Sequence, residues 1–133
     1  MMIIEKVAWL HLQEGKVLAA RSRGHNRFYF PGGKREAGET DEQALLREIE
    51  EELTVRLRPA TLRFLGSFEA PAHAQPAGTL LRMSCYAAEY EGTLQPAAEI
   101  EEMAWLTYRD RPRVSAMAQQ LFDWLRQDGQ LAD

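Results

Sequence analysis

Glu48, Glu51 and Glu52 stand at i, i+3 and i+4, a spacing that sends side chains out of one helix face, one above another. Carboxylates this close repel, and each like-charge pair costs an isolated helix about 0.2–0.5 kcal/mol. A solvated helix would intersperse lysines here; this one offers only Arg47, spaced to meet Glu51. A divalent cation removes the repulsion, and oxygen-only ligands select hard Mg2+ or Mn2+ over zinc. The alternative is a merely acidic, solvated surface.

The opposite charge lies just upstream. From Gly15 to Arg35 the bases are Lys16, Arg21, Arg23, Arg27, Lys34 and Arg35, with no acid among them. From Glu36 to Glu52 the acids are Glu36, Glu39, Asp41, Glu42, Glu48, Glu50, Glu51 and Glu52, with Arg47 the one base. A cationic segment running into an anionic helix is what a site for a phosphate and its metal needs. Arg21 and Arg23 leave a strand with their side chains toward the same face, and no acid lies nearby in sequence, so both are candidate phosphate clamps.

The elements that must position these residues follow from periodicity and turn chemistry. Val7–Leu12 and Val17–Arg21 read as strands joined by the turn 13–16, hence as a hairpin. Ser22–Arg27 is a polar loop, and Phe28-Tyr29-Phe30 runs into a Pro31-Gly32-Gly33 turn. Thr40 or Asp41 caps a helix over 42–53 that buries Ala44, Leu45, Ile49 and Leu53. Further strands are expected at 55–58, 62–69, 79–90 and 103–106, then a helix over 114–127 that buries Met117, Leu121, Trp124 and Leu125. The order predicts an α+β fold, with a mixed β-sheet covered by helices on both faces.

Composition excludes other classes. At 133 residues, 45% hydrophobic and 27% charged, the chain has the makings of one globular domain, residues 1–133. A net charge of −4 argues against a surface for a nucleic-acid polymer. No apolar stretch approaches the roughly 20 residues that span a bilayer, and Glu5 and Lys6 interrupt the N-terminal apolar run, so neither membrane insertion nor a secretory signal is expected. A lone cysteine, Cys85, excludes an internal disulfide and a Cys-based zinc site, and reads as a small buried hydrophobe. A cytoplasmic setting is the expectation. His11 and the three tryptophans, Trp9, Trp105 and Trp124, read as core. His25 and His73 lie in loops, and 70–78 is a candidate rim or lid.

From Gly33 the chain runs Gly, five residues, Glu39, seven residues, then Arg47-Glu48-Ile49-Glu50-Glu51-Glu52-Leu53-Thr54-Val55. This resembles the Nudix box over residues 33–55, and the preceding Phe30-Pro31-Gly32-Gly33-Lys34 resembles MutT-like members of that family. Thr54 departs, standing where the box usually has the glycine that ends the helix in a left-handed conformation. The resemblance implies an α/β/α sandwich and hydrolysis of a nucleoside diphosphate linked to another group, by Mg2+ (or Mn2+) and water. It implies Glu48, Glu51, Glu52 and the Gly32 carbonyl as metal ligands, Arg47 orienting Glu51, and Glu39 supporting the loop or a further metal. It places Phe30, Gly32, Lys34 and Arg21, with Arg23, against substrate. The general base is left open among Glu48, Glu51 and a later acid, Glu102 or Glu99. A (deoxy)nucleoside triphosphate, oxidised or not, is the leading substrate. ADP-ribose, nucleotide sugars and dinucleoside polyphosphates are alternatives, as is a non-catalytic nucleotide-binding regulatory domain.

Overall fold

Alternation along two strands, one from each of the two larger sheets, builds the core. Val7 and Trp9 face one side and pack with Leu18, whereas Ala8 and Leu10 face the other and pack with Val17 and Ala19. Each face is then covered by one helix, giving the expected sandwich. The computed structural model describes residues 2–72 and 75–133. In chain order these form β1 (Ile3–Trp9), β2 (Leu12–Gln13), β3 (Lys16–Ser22), β4 (Gly32–Lys34), α1 (Asp41–Leu53), β5 (Arg56–Leu57), β6 (Arg63–Pro71), β7 (Leu80–Ala87), β8 (Tyr90–Glu91), β9 (Ile100–Leu106) and α2 (Ala116–Gln127).

The strands pair as β4-β1-β7-β6, β2-β3-β9 and β5-β8. β1 runs parallel to β7 and antiparallel to β4, so the largest sheet is mixed. Ala44, Leu45, Ile49 and Leu53 of α1 bury against Val7, Trp9 and Leu18; Met117, Leu121, Phe122 and Leu125 of α2 bury against the opposite face. No helix among the described residues is long and apolar enough to cross a membrane.

Several boundaries differ from the sequence expectation. The first strand begins at Ile3, because Ile4, Lys6 and Ala8 continue the inward alternation through a charged position. Only Leu12–Gln13 pairs with β3 as a hairpin, around Glu14 and Gly15 with φ of 55° and 77°, both signs a type I′ turn needs. The segment at Gly32–Lys34, read as a turn, pairs with β1, and the long strand expected over 79–90 breaks into β7 and β8. Trp9 is fully buried, but Trp105 is 36% exposed and packs on His11. His11 also stacks on Trp9 at 4.6 Å, and burial lowers its pKa below the usual imidazole value. His73 lies outside the described residues.

Both ends of α1 are built from side chains. Thr40 caps the start, accepting from the Gln43 N–H, while the Gln43 amide oxygen accepts from the Thr40 N–H. At the exit Thr54 adopts the left-handed conformation, φ 63° and ψ 17°, that the box glycine would supply. Its Oγ1 donates to the Thr93 carbonyl at 3.0 Å, while Gln95 and Ala97 N–H groups satisfy the Leu53 and Glu52 carbonyls. The β-branched residue is thus held in a costly conformation by the loop it anchors. Thr54→Val, which keeps the strain and loses the hydroxyl, is expected to destabilise by about 1 kcal/mol in urea unfolding. Thr54→Gly, which loses both, is expected to stay within about 1 kcal/mol of wild type.

Candidate active site

The box folds around an arginine. Arg47 on α1 donates from Nε and Nη2 to the two oxygens of Glu39, at 2.8 and 2.9 Å. Nη1 reaches Glu48 at 2.9 Å and Glu51 at 3.4 Å, and Nη2 also reaches the Lys34 carbonyl at 3.1 Å. A guanidinium has five N–H donors, and these contacts occupy all of them. Glu39 in turn accepts from the Glu36 N–H at 2.7 Å, so it braces the loop between β4 and α1. Arg47, with that backbone N–H, depresses the Glu39 pKa to about 2. Arg47 therefore orients Glu48 and the loop first, and Glu51, its expected partner, by the longest of its hydrogen bonds.

Two of the three glutamates enter a cavity of about 570 Å³. Glu52 is 3% exposed, with the Gly32 N–H donating to its Oε1 at 3.3 Å. Burial holds its pKa well above the usual carboxylate range, and the negative charges of Glu48 and Glu99 act in the same direction against the Gly32 bond. Glu48 lies against the backbone of Gly33, where an added Cβ would sit 2.6 Å from the carboxyl carbon. Gly32 is equally constrained: at φ 149°, an added Cβ would fall 2.0 Å from the Val7 carbonyl oxygen. These are glycines because a carboxylate and a neighbouring strand occupy the space of their side chains.

Glu51 points outward, 54% exposed, and is not part of the cavity wall. The third acid there is Glu99, from the loop that caps α1. Among the described residues no group of three His, Cys, Asp or Glu side chains is drawn tightly enough to enclose an ion unaided. The donor chemistry nevertheless suits a hard divalent cation: a buried carboxylate beside a second one, with only oxygens offered and no basic side chain in ion-pair contact with Glu52 among the described residues.

The expected cationic clamps are engaged elsewhere. Arg21 donates to Glu101 at 2.9 Å, Glu102 at 3.1 Å and the His25 carbonyl at 2.9 Å. Arg23 donates to the Ala98 carbonyl at 2.8 Å. Neither lines the cavity, and the partners that sequence distance concealed come from β9 and the loop before it. Glu102, offered as a base, is tied to Arg21 outside the cavity, whereas its alternative, Glu99, lines it. Phe30, Gly32 and Lys34 line it as expected; Phe30 is also core, packing on Phe122. His25, Pro71, Ala72 and Gln75 reach its rim.

Sequence reasoning missed Lys6 and the Ser22–Tyr29 pair. The two hydroxyls share a short hydrogen bond in the cavity wall, and burial raises the Tyr29 pKa to about 12. Lys6 lines the floor, its pKa lowered by burial and by the Lys34 charge against the pull of Glu52 and Glu48. The signal for Lys6 was strand parity with Ile4 and Ala8, visible only once β1 is started at Ile3.

This cavity sits in a chain of which residues 6–127 match the NUDIX domain. The chain belongs to the Nudix family. It is a nucleotide pyrophosphohydrolase of that family, and MutT-like in its box. Over 110 residues it is 32% identical to the CTP pyrophosphohydrolase of Escherichia coli K12, covering 79% of this chain and 76% of that one. A 42-residue stretch is 55% identical to the 8-oxo-dGTP diphosphatase of Haemophilus influenzae, covering 32% of this chain and 31% of that one. The solution structure of the Escherichia coli ORF135 protein superposes with a TM-score of 0.74 at 27% identity, covering 100% of this chain and 96% of that one.

The Arg47–Glu39 brace of the Nudix box has a pH signature. Because the Glu39 pKa is depressed in the folded state, its stabilisation is complete above the unfolded value of 4.5 and is lost as pH falls toward about 2. The melting temperature of wild type is expected to exceed that of Glu39→Gln at pH 6, and the gap to close between pH 4.5 and 2.5.

Proposed function

We propose that the protein hydrolyses a (deoxy)nucleoside triphosphate at a phosphoric anhydride bond, with Mg2+ or Mn2+ held at Glu48 and Glu52. The observation that carries this reading is the buried Glu52 carboxylate, beside Glu48, against the Gly32-Gly33 backbone. A regulatory binding module gives no reason to bury a carboxylate beside a second, half-buried one, and leaves that cost unexplained. Two relatives named for nucleoside triphosphates support the substrate class, one for CTP and one for an oxidised purine.

Glu48 and Glu52 would be the cation's principal ligands, with the Gly32 carbonyl; Glu51, outside the cavity wall, would join them only by a change of rotamer. A bound divalent ion would neutralise phosphate charge and lower the pKa of a water. The chain's own residues do the positioning. Arg47 fixes the Glu48 rotamer, and the Gly32 N–H fixes that of Glu52. Glu99, the third acid lining the cavity, is the carboxylate that would take the proton of the attacking water. Phe30, Met83 and Met117 give the cavity an apolar side that suits a nucleobase.

A panel of nucleoside triphosphates, oxidised purines included, assayed for pyrophosphate release with and without Mg2+, tests the reading. Release with metal and none in EDTA is the expected result. Glu52→Gln removes a ligand charge but little volume. It is expected to lower kcat by at least ~100-fold while leaving the fold intact, and to raise the melting temperature in EDTA at neutral pH by removing the cost of neutralising a carboxylate that burial desolvates. Wild-type turnover of this variant at saturating Mg2+ would overturn the assignment.

A further inference from the structure

The inward register of β1 reads Ile4, Lys6, Ala8, and a lysine in that row is anomalous, since lysines are almost never placed on a packed face without a partner. In the pairing of β1 with β4, Lys6 stands directly opposite Lys34, and in the pairing with β7 it stands opposite Met83. Like charges directly opposite one another on antiparallel strands are destabilising. Both lysines line the cavity that holds Glu48 and Glu52. Among the described residues, neither ammonium lies within ion-pair distance of a carboxylate, whereas Arg21, Arg35, Arg47 and Arg82 all do. Lys6 and Lys34 thus bring positive charge to the cavity wall without a direct ion-pair partner there.

An anion between them would remove the repulsion, and the nearby carboxylates restrict what that anion is. A nucleobase or sugar is neutral and would leave the lysines opposed. A carboxylate ligand lacks the several charged oxygens needed to reach both lysines and a cation together. A phosphate chain offers oxygens in several directions along its length. We propose that Lys6, assisted by Lys34 across the strand pair, is the clamp for the phosphate chain of the substrate, the role that Arg21 and Arg23 do not fill. This rests on the cavity being the pyrophosphohydrolase site. It also makes Lys6 a specificity determinant, selecting ligands by phosphate charge and not by base.

The test compares Lys6→Met and Lys6→Arg with wild type in two measurements. Calorimetric binding of inorganic pyrophosphate in excess Mg2+ is expected to weaken roughly ten- to a hundred-fold in Lys6→Met, the loss of one charge-assisted contact, and to recover in part in Lys6→Arg. Steady-state kinetics on CTP, UTP, GTP and ATP is expected to show KM rising by a similar factor for every base that wild type accepts, with kcat falling less. The melting temperature without ligand should stay level or rise, which separates this role from a structural one. Pyrophosphate affinity within two-fold of wild type in Lys6→Met would overturn the clamp, as would a KM increase confined to one base. If wild type cleaves none of the nucleotides yet binds pyrophosphate through Lys6, the clamp stands and the substrate reading falls.

Discussion

A single guanidinium with every donor occupied holds the site together. Arg47 joins Glu39 from the loop, the Lys34 carbonyl from the end of β4 and Glu48 from its own helix. Removing it would leave Glu39 and Glu48 without their counter-charge, Glu48 beside Glu52, and losing one partner of such a network costs more than the bond itself contributes. The planar fork of arginine can serve carboxylates and a carbonyl in fixed directions at once, which lysine cannot. The loop, the strand edge and a cavity-facing carboxylate are therefore positioned by one side chain.

The far end of the same helix anchors another stretch of the cavity wall. Its last carbonyls take the N–H groups of Gln95 and Ala97, and the Thr54 hydroxyl reaches Thr93. That loop leads directly to Glu99. One helix thus presents Glu48 and Glu52 from its body and anchors Glu99 from its C-terminus. Helix ends must find partners for their unpaired carbonyls, and here the partner segment carries an acid that lines the cavity.

Two kinds of cation divide the remaining work. The arginines at 21 and 23 stitch β3 to the segment that leads into β9, using directional bonds to Glu101, Glu102 and the Ala98 carbonyl. The lysines at 6 and 34 line the cavity and make no ion pair among the described residues. A compact, rotatable charge on a flexible stem suits a ligand that changes along a reaction better than a guanidinium already fixed in a fork.

The box, the helix over 42–53, its Thr40 cap and its buried face were all legible in the sequence, because they depend on neighbours within one or two helical turns. The α/β/α arrangement was legible too, since strand alternation and helix periodicity together require two covered faces. Strand ends were less so: the inward row of β1 passes through Lys6, and hydrophobicity alone reads that as an interruption. The fates of Arg21, Arg23 and Glu102 could not be read, because their partners are some 75 to 81 residues distant and meet only when β9 pairs with β3. Glu51 shows the same limit at short range. Spacing put it on one face with Glu48 and Glu52, but that face is wider than the cavity mouth. Local chemistry determined which residues are present, and the closing of the sheet over α1 decided which of them face the cavity.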